Sequence, residues 1–269
     1  MAYNSDFRHF TTSYDIYKKQ DYYDLQLLKA ETLQKIADMI QANWRVETKH
    51  LTINSMENDY PFLCNSNLPC GITWGNIINT WDGMIVYDFE NDICKMLKKY
   101  QDNSFMSNTG MDICMPNAQN VIIKFDVGGY YDNYYVITAM QDTITKEFNT
   151  FVMGAYYDGN YYNDKREKRS YAVSLNDINE DMKVIEQDRE RFEQNYTTTN
   201  LTRAMSTNAL YSPEHAYISN DTMYFASLDT EPIATEKSVI IDGTEYLGLC
   251  FSQGVAYNYN YYFKVESED

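Results

Sequence analysis

Glycine and proline are scarce in this chain, with 11 and 5 among 269 residues, where average usage gives about 19 and about 13. A chain so poor in both is an ordered polypeptide, not a linker or a collagen. No GxGxxG and no Walker loop occurs, so a glycine-rich cradle for phosphate is not expected. GxSxG and HExxH are missing too, which removes the commonest serine-hydrolase elbow and the usual zinc hydrolase. Basic residues number 22 against 39 acidic ones, a formal charge of −17. That balance opposes gripping a nucleic-acid backbone and opposes docking on an anionic bilayer. No apolar run approaches the roughly 18 residues of a membrane span. The opening MAYNSDFRHFTTSYD carries neither a basic nor an apolar region, so no export signal is expected and the sequons at Asn195, Asn200 and Asn220 carry no weight.

The five cysteines, Cys64, Cys70, Cys94, Cys114 and Cys250, contain no CxxC pair and no zinc spacing. An odd count of this kind points to free thiols in a reducing compartment, with a local Cys64–Cys70 disulfide the one alternative. No metal and no cofactor is expected.

Tyrosine is abundant, 26 residues against 12 phenylalanines. Its apolar ring and polar tip suit half-buried faces and contact surfaces, although codon drift in an A/T-rich genome would raise it as well. At this length the chain buries roughly three quarters of its unfolded surface and can form one large domain or two. The division expected is a mixed helical N-terminal region, 1–119, and a β-rich region, 120–269, with an inserted helix near 175–194.

Asp21 can cap a helix running to Trp44, with Leu25, Leu28, Leu33, Ile36 and Ile40 on one stripe. Residues 46–86 read as strands and loops. Asp88 suggests a second helix, FENDICKMLKKY, with Ile93, Met96, Leu97 and Tyr100 on one side and Lys98 and Lys99 in its last turn. A loop is expected over 101–119. NVIIKFDV, YYVITAM and TITKEFNTFVMGAYY then predict an antiparallel meander, with a hairpin turn at Asp158-Gly159. Ser174 and Asp177 form a weakened capping box ahead of Leu175, Ile178, Met182, Ile185 and Phe192 at helical spacing. Residues 195–220 look like a long polar loop. TMYFASL, SVII-Asp242-Gly243-TEYLGLCF and VAYNYNYYFKV return to β structure, the last alternating so as to display tyrosines from one face. The fold class expected is α+β, an antiparallel β-rich body with two or three amphipathic helices.

Candidate chemistry is sparse. The three histidines are His9, His50 and His215, the last beside Ser212 and Glu214; a Ser–His–acid set there would need convergence that no spacing indicates. Asp177, Asn179 and Asp181 open like a calcium loop, but Met182 replaces the required glycine and Asp188 the bidentate glutamate. Asp126, Asp132, Asp158 and Asp164 lie in tyrosine-rich turns that could take a cation or a sugar.

The vocabulary NYNYYF, GGYYDNYY and YYDGNYYND, the Met1 start and the high negative charge together resemble the virion structural proteins of tailed bacteriophages, including the crAss-like phages of gut bacteria. No motif accompanies the resemblance, so it transfers no functional residue. It implies a non-enzymatic ring, collar, tail or capsid-associated subunit, packed in the virion against its own copies and other structural proteins after assembly in the host cytoplasm. Acidic walls of that kind would let DNA slide past without being held. The alternatives are a glycan or host-surface binding module, using tyrosines such as Tyr131, Tyr157 or Tyr259, and a carboxylate-based hydrolase.

Overall fold

The computed structural model describes residues 3–11, 22–40, 43–53, 56–77, 80–98, 110–125, 133–158, 167–180, 183–184, 206–207, 209–219, 221–227, 236–241, 243–250 and 259–267. In chain order the elements begin with β1 (Arg8–Thr11), α1 (Tyr22–Ile40), β2 (Trp44–Ile53), β3 (Met56–Asn65), β4 (Cys70–Ile77), β5 (Thr80–Asp88) and β6 (Ile93–Lys98). They continue with β7 (Gly110–Asn117), β8 (Asn120–Phe125), β9 (Asn133–Asp142), β10 (Phe148–Asp158), β11 (Glu167–Ser174) and β12 (Lys183–Val184). The last are β13 (Ser206–Thr207), β14 (Ala209–Tyr211), β15 (Ala216–Ile218), β16 (Met223–Ser227), β17 (Lys237–Ile241), β18 (Thr244–Cys250) and β19 (Tyr259–Lys264).

The strands form three antiparallel sheets. A nine-stranded central sheet runs β1-β7-β8-β9-β15-β14-β12, with β10 on the other edge of β9 and β11 beyond it. Gln141 pairs with Phe148 on one side and Ile218 on the other. So β15 continues along the edge of β9 where β8 stops. One five-stranded sheet, β2-β3-β4-β5-β6, lies on one side together with α1; the other, β13-β16-β19-β18-β17, lies on the opposite side.

Side-chain alternation explains this layering. Successive residues of a strand point to opposite faces. Ile113, Val121, Ile123, Tyr135, Ile137, Val152 and Val173 share one core with Leu33, Ile36, Leu63, Ile72 and Val86. Their neighbours Cys114, Ile122, Tyr134, Val136, Phe151, Met153 and Ala172 share another with Met223, Leu247, Leu249, Tyr261 and Phe263. Continuous apolar runs such as VII and YYVI therefore mark strands covered on both faces. Of the expected α1 stripe, Leu33 and Ile36 are buried and Ile40 packs against the same core.

Several expectations are corrected. Among the described residues there is one helix rather than two or three, and it stops at Ile40, with Trp44 opening β2. The predicted helix after Asp88 is β6, hydrogen-bonded along β5 from Asp88↔Ile93 to Gly83↔Lys98. Asp88 does accept backbone N–H bonds from Glu90 (2.9 Å) and Asn91 (3.0 Å), but they close the β5–β6 turn. Ser174 behaves alike. Its Oγ accepts from the N–H groups of Asn176 (3.2 Å) and Asp177 (3.1 Å), after which residues 175–180 turn without becoming helical, and Lys183-Val184 is strand; residues 185–194 lie outside the described residues. The expected loops at 101–119 and 195–220 contain β7 and β13 to β15 respectively. Asp158 pairs with Glu167, which rules out a two-residue hairpin at Asp158-Gly159.

The Asp242-Gly243 hairpin stands: Ile241 pairs with Thr244, and Gly243 has φ +80°, a left-handed conformation that suits glycine. Cys64 and Cys70 belong to cores on opposite faces of the same sheet, so they remain separate free thiols. Nor does β19 display all its tyrosines, since Tyr261 and Tyr262 are 1 % and 0 % exposed.

Gly71 shows how tightly the outer face of the β2–β6 sheet is packed. A Cβ there would lie 2.7 Å from Phe89 Cε2 and 2.9 Å from Cys64 Sγ. Gly71→Ala should cost about 1–3 kcal/mol by overpacking, measured as a shift in the urea midpoint at unchanged slope. An unchanged midpoint would show that Phe89 can move aside freely.

Candidate functional site

The β9–β10 turn, the β14–β15 turn and the turn after β11 meet around a cleft of ≈ 460 Å³. Its lining includes the carboxylates of Asp142, Glu147, Asp177, Glu180 and Glu214, one histidine, His215, and no lysine or arginine. The pairing of Tyr217 with Asp142 brings the last residue of β9 to the foot of β15.

Asp142 is 2 % exposed, yet its carboxylate is well satisfied. Oδ1 accepts the backbone N–H of Ile144 at 2.7 Å, and Oδ2 lies 2.7 Å from His215 Nδ1. The Ile144 N–H foremost, with His215 and the Thr145 hydroxyl, holds the Asp142 carboxyl below its ordinary value against the opposing effect of burial. An ionised carboxylate only accepts, so Nδ1 carries the proton toward Asp142, and the lone pair of the ring's neutral form is then on Nε2. His215 is half-buried at the cleft wall, with its ring 5.8 Å from that of Tyr217.

Glu180 organises the opposite wall. It accepts the Ser212 hydroxyl at 2.6 Å and the Tyr217 hydroxyl at 3.0 and 3.2 Å. Tyr217 in turn accepts from Asn149 Nδ2 at 2.9 Å. Burial first, then the facing Glu180, pushes the Tyr217 hydroxyl well above its ordinary value, so it stays protonated as a donor.

The structure thus brings Ser212, Glu214 and His215 to one cleft without building a nucleophilic triad. The Ser212 hydroxyl donates to Glu180 and accepts the His215 backbone N–H at 3.2 Å; the acid bonded to the imidazole is Asp142, and Glu214 is exposed on the rim. Sequence reasoning missed Asp142, Glu180 and Tyr217, which stand 73, 32 and 37 positions from their partners. What the cleft offers is a proton acceptor at Nε2 in a negative setting that favours cationic groups.

Of the other candidates only Asp177 lines the cleft, and it forms no calcium loop there. Asp177 Oδ1 accepts the Asn179 N–H at 2.9 Å inside a turn, and no group of three or more metal-ligating side chains exists among the described residues; Asp181, Met182 and Asp188 lie outside them. Asp126, Asp132, Asp164 and Tyr131 also lie outside, while Asp158 ends β10 and Tyr157 and Tyr259 sit on β10 and β19. His9 is on β1, paired in register with Asp112. His50 is exposed between Asp59 (2.8 Å) and Glu57 (3.0 Å), which, Asp59 first, raise its pKa. No helix among the described residues is long and apolar enough to cross a membrane.

Because the Asp142 pKa is depressed on folding, its contribution is present above the unfolded value and lost as pH falls through the folded one. The midpoint difference between wild type and Asp142→Asn should therefore be largest near neutral pH and shrink once pH drops below the ordinary 3.8. Urea melts at pH 7, 5 and 3 check this; a difference that grows on acidification would contradict it.

In comparisons with known proteins, no family model, no curated protein and no solved structure matches this chain.

Proposed function

We propose that this chain is a non-enzymatic subunit of a multi-copy assembly, of the ring, collar, tail or capsid-associated kind that builds a tailed-phage virion. The phage assignment draws on the tyrosine- and asparagine-rich vocabulary and the charge of −17. The assembly reading is carried by the sheet edges. Among the described residues, five-residue β17 is an outermost strand of its sheet, and its Ile240 is 77 % exposed. Open edges with apolar side chains invite pairing, and soluble monomers usually blunt or cover them. Among the described residues seven tyrosines, Tyr60, Tyr134 and Tyr217 among them, are buried and take no part in surface contacts. A negative field over such a subunit would repel DNA and let it pass.

The decisive measurement is the native mass of the purified chain, alone and with proteins co-purified from its natural particle. Association burying well over about 1,000 Å² per contact is expected. A chain that stays monomeric and captures no structural partner would overturn the reading.

The Asp142–His215 pair favours a second reading, hydrolysis with His215 Nε2 as general base. A panel of activated esters, phosphoesters and glycosides tests it. Turnover abolished by His215→Gln would support it, and absence of turnover would remove it.

A further inference from the structure

One end of the β8–β9 ladder places polar side chains on a face that is otherwise apolar. Asn120 and Thr138 are register partners, and both are 0 % exposed. Side chains alternate between faces, so the two share the side that carries Ile122, Val136 and Met140, with Phe151 opposite Thr138 on β10. The Ala139 N–H donates to the Gln119 carbonyl at 2.9 Å. That bond flanks the pair, so Asn120 and Thr138 occupy a non-hydrogen-bonded position, where Cα atoms stand about 4.5 Å apart and side chains are closest. Yet neither Asn120 Oδ1 nor Thr138 Oγ1 has a hydrogen-bond partner among the described residues. The amide cannot cure this by turning over. Asn120 Nδ2 donates at 2.8 Å to Asn117 Oδ1, which also accepts the Gln119 N–H at 3.1 Å. Exchanging the Asn120 nitrogen and oxygen would set two carbonyl oxygens against each other.

We propose that Asn120 and Thr138 form a binding site for one internal water molecule, which bridges β8 to β9 as a fixed part of the polar contact between two layers. The water accepts the Thr138 hydroxyl hydrogen and donates to Asn120 Oδ1. It thereby orients the amide whose other end donates to Asn117. Asn117 Nδ2 in turn donates to the Thr222 and Lys264 carbonyls at 3.2 and 2.7 Å. The chain of bonds then runs from β9 through β8 to the ends of β16 and β19. Water suits the position because it is small and both donates and accepts. Buried waters serve otherwise unpaired polar groups, at roughly one per 27 residues in folded proteins. Two neutral oxygens are too few for a hard cation, which takes about six oxygen ligands. The site stands independently of what the chain assembles into.

A crystal structure that resolves ordered solvent tests this, together with urea melts of Thr138→Val. Valine nearly keeps the shape and removes the hydroxyl. Were that hydroxyl merely unpaired, its removal would leave stability unchanged or raise it. With the water in place, valine withdraws one of its anchors and Asn120 Oδ1 loses a firmly held donor. The equilibrium constant for unfolding should then rise roughly fivefold or more, and the solvent peak should vanish from the density of the variant. In wild type the peak should lie within about 3.2 Å of both oxygens. Density without such a peak overturns the proposal, as does a direct hydrogen bond between the two side chains. A Thr138→Val chain at least as stable as wild type overturns it too. The wild-type density decides the matter even if the valine chain fails to fold.

Discussion

Phe151→Ala should lower the free energy of unfolding by about 3–5 kcal/mol, the range for removing a fully buried phenylalanine. Phe151 is 0 % exposed and sits on the face of β10 turned toward β16, β18 and β19. Its ring meets Tyr217 edge-on, with centroids 4.8 Å apart. Removing it leaves a cavity between two sheets that are each pinned by their own ladders and cannot close on it. The loss also withdraws support from Tyr217, whose hydroxyl spans Asn149 and Glu180 in the cleft. Destabilisation should therefore come with a changed environment for the His215 ring, visible as a shift of its imidazole resonances. Phe151→Leu should cost distinctly less. A cost below about 1 kcal/mol for the alanine variant would mean that the two sheets are not packed through this residue.

Asn117→Ala should cost roughly 3 kcal/mol or more, for a different reason. This asparagine is fully buried at the β7–β8 turn. Its Nδ2 donates to the carbonyls of Thr222 (3.2 Å) and Lys264 (2.7 Å), joining the central sheet to the ends of β16 and β19. Its Oδ1 accepts from the Gln119 N–H (3.1 Å) and from Asn120 Nδ2 (2.8 Å). Asn120 Oδ1 is already buried without a hydrogen-bond partner, so truncating Asn117 strips that amide of its bond and abandons the others. Each abandoned buried group costs about 1–3 kcal/mol. Hydrogen exchange should quicken at β16 and β19 more than at β2 and β3, because the bonds lost tie those layers. As a reference, Thr52→Ala on the exposed surface of β2 should stay within about 0.5 kcal/mol of wild type. Equal effects of the two substitutions would sink the clamp role of Asn117.

Both cores trace back to patterns visible in the chain. NVIIKF, YYVITAM and FNTFVM are apolar at consecutive positions, and such strands must be covered on both faces; the structure covers them with one layer on each side. The α1 stripe and the Asp242-Gly243 turn were equally legible, because their determinants lie within a few residues of each other. Asp88 and Ser174 mark the boundary of that legibility. Each makes the side-chain-to-backbone bonds of a helix cap, yet one closes a hairpin and the other turns the chain after β11. A cap satisfies one or two N–H groups at the start of any turn. Whether a helix follows depends on whether a strand edge is waiting for the next residues, as β5 waits for Ile93–Lys98.

The candidate site was less legible still. Ser212, Glu214 and His215 are neighbours in sequence, and their proximity says nothing about chemistry. The acid that orients the imidazole arrives through the β9–β15 ladder, and the one that accepts the Ser212 hydroxyl arrives from the turn after β11.

The sequence by itself determined the charge, the β-rich class and the doubly covered strands, since composition and alternation act residue by residue. Only the tertiary structure decided which strand edges meet. With them it decided that Asp142 faces His215 and that Cys64 and Cys70 lie on opposite faces of one sheet as separate thiols. Pairing between distant segments is a choice among many edges of similar local preference. That choice is made by the burial of whole layers, which no short window of residues contains.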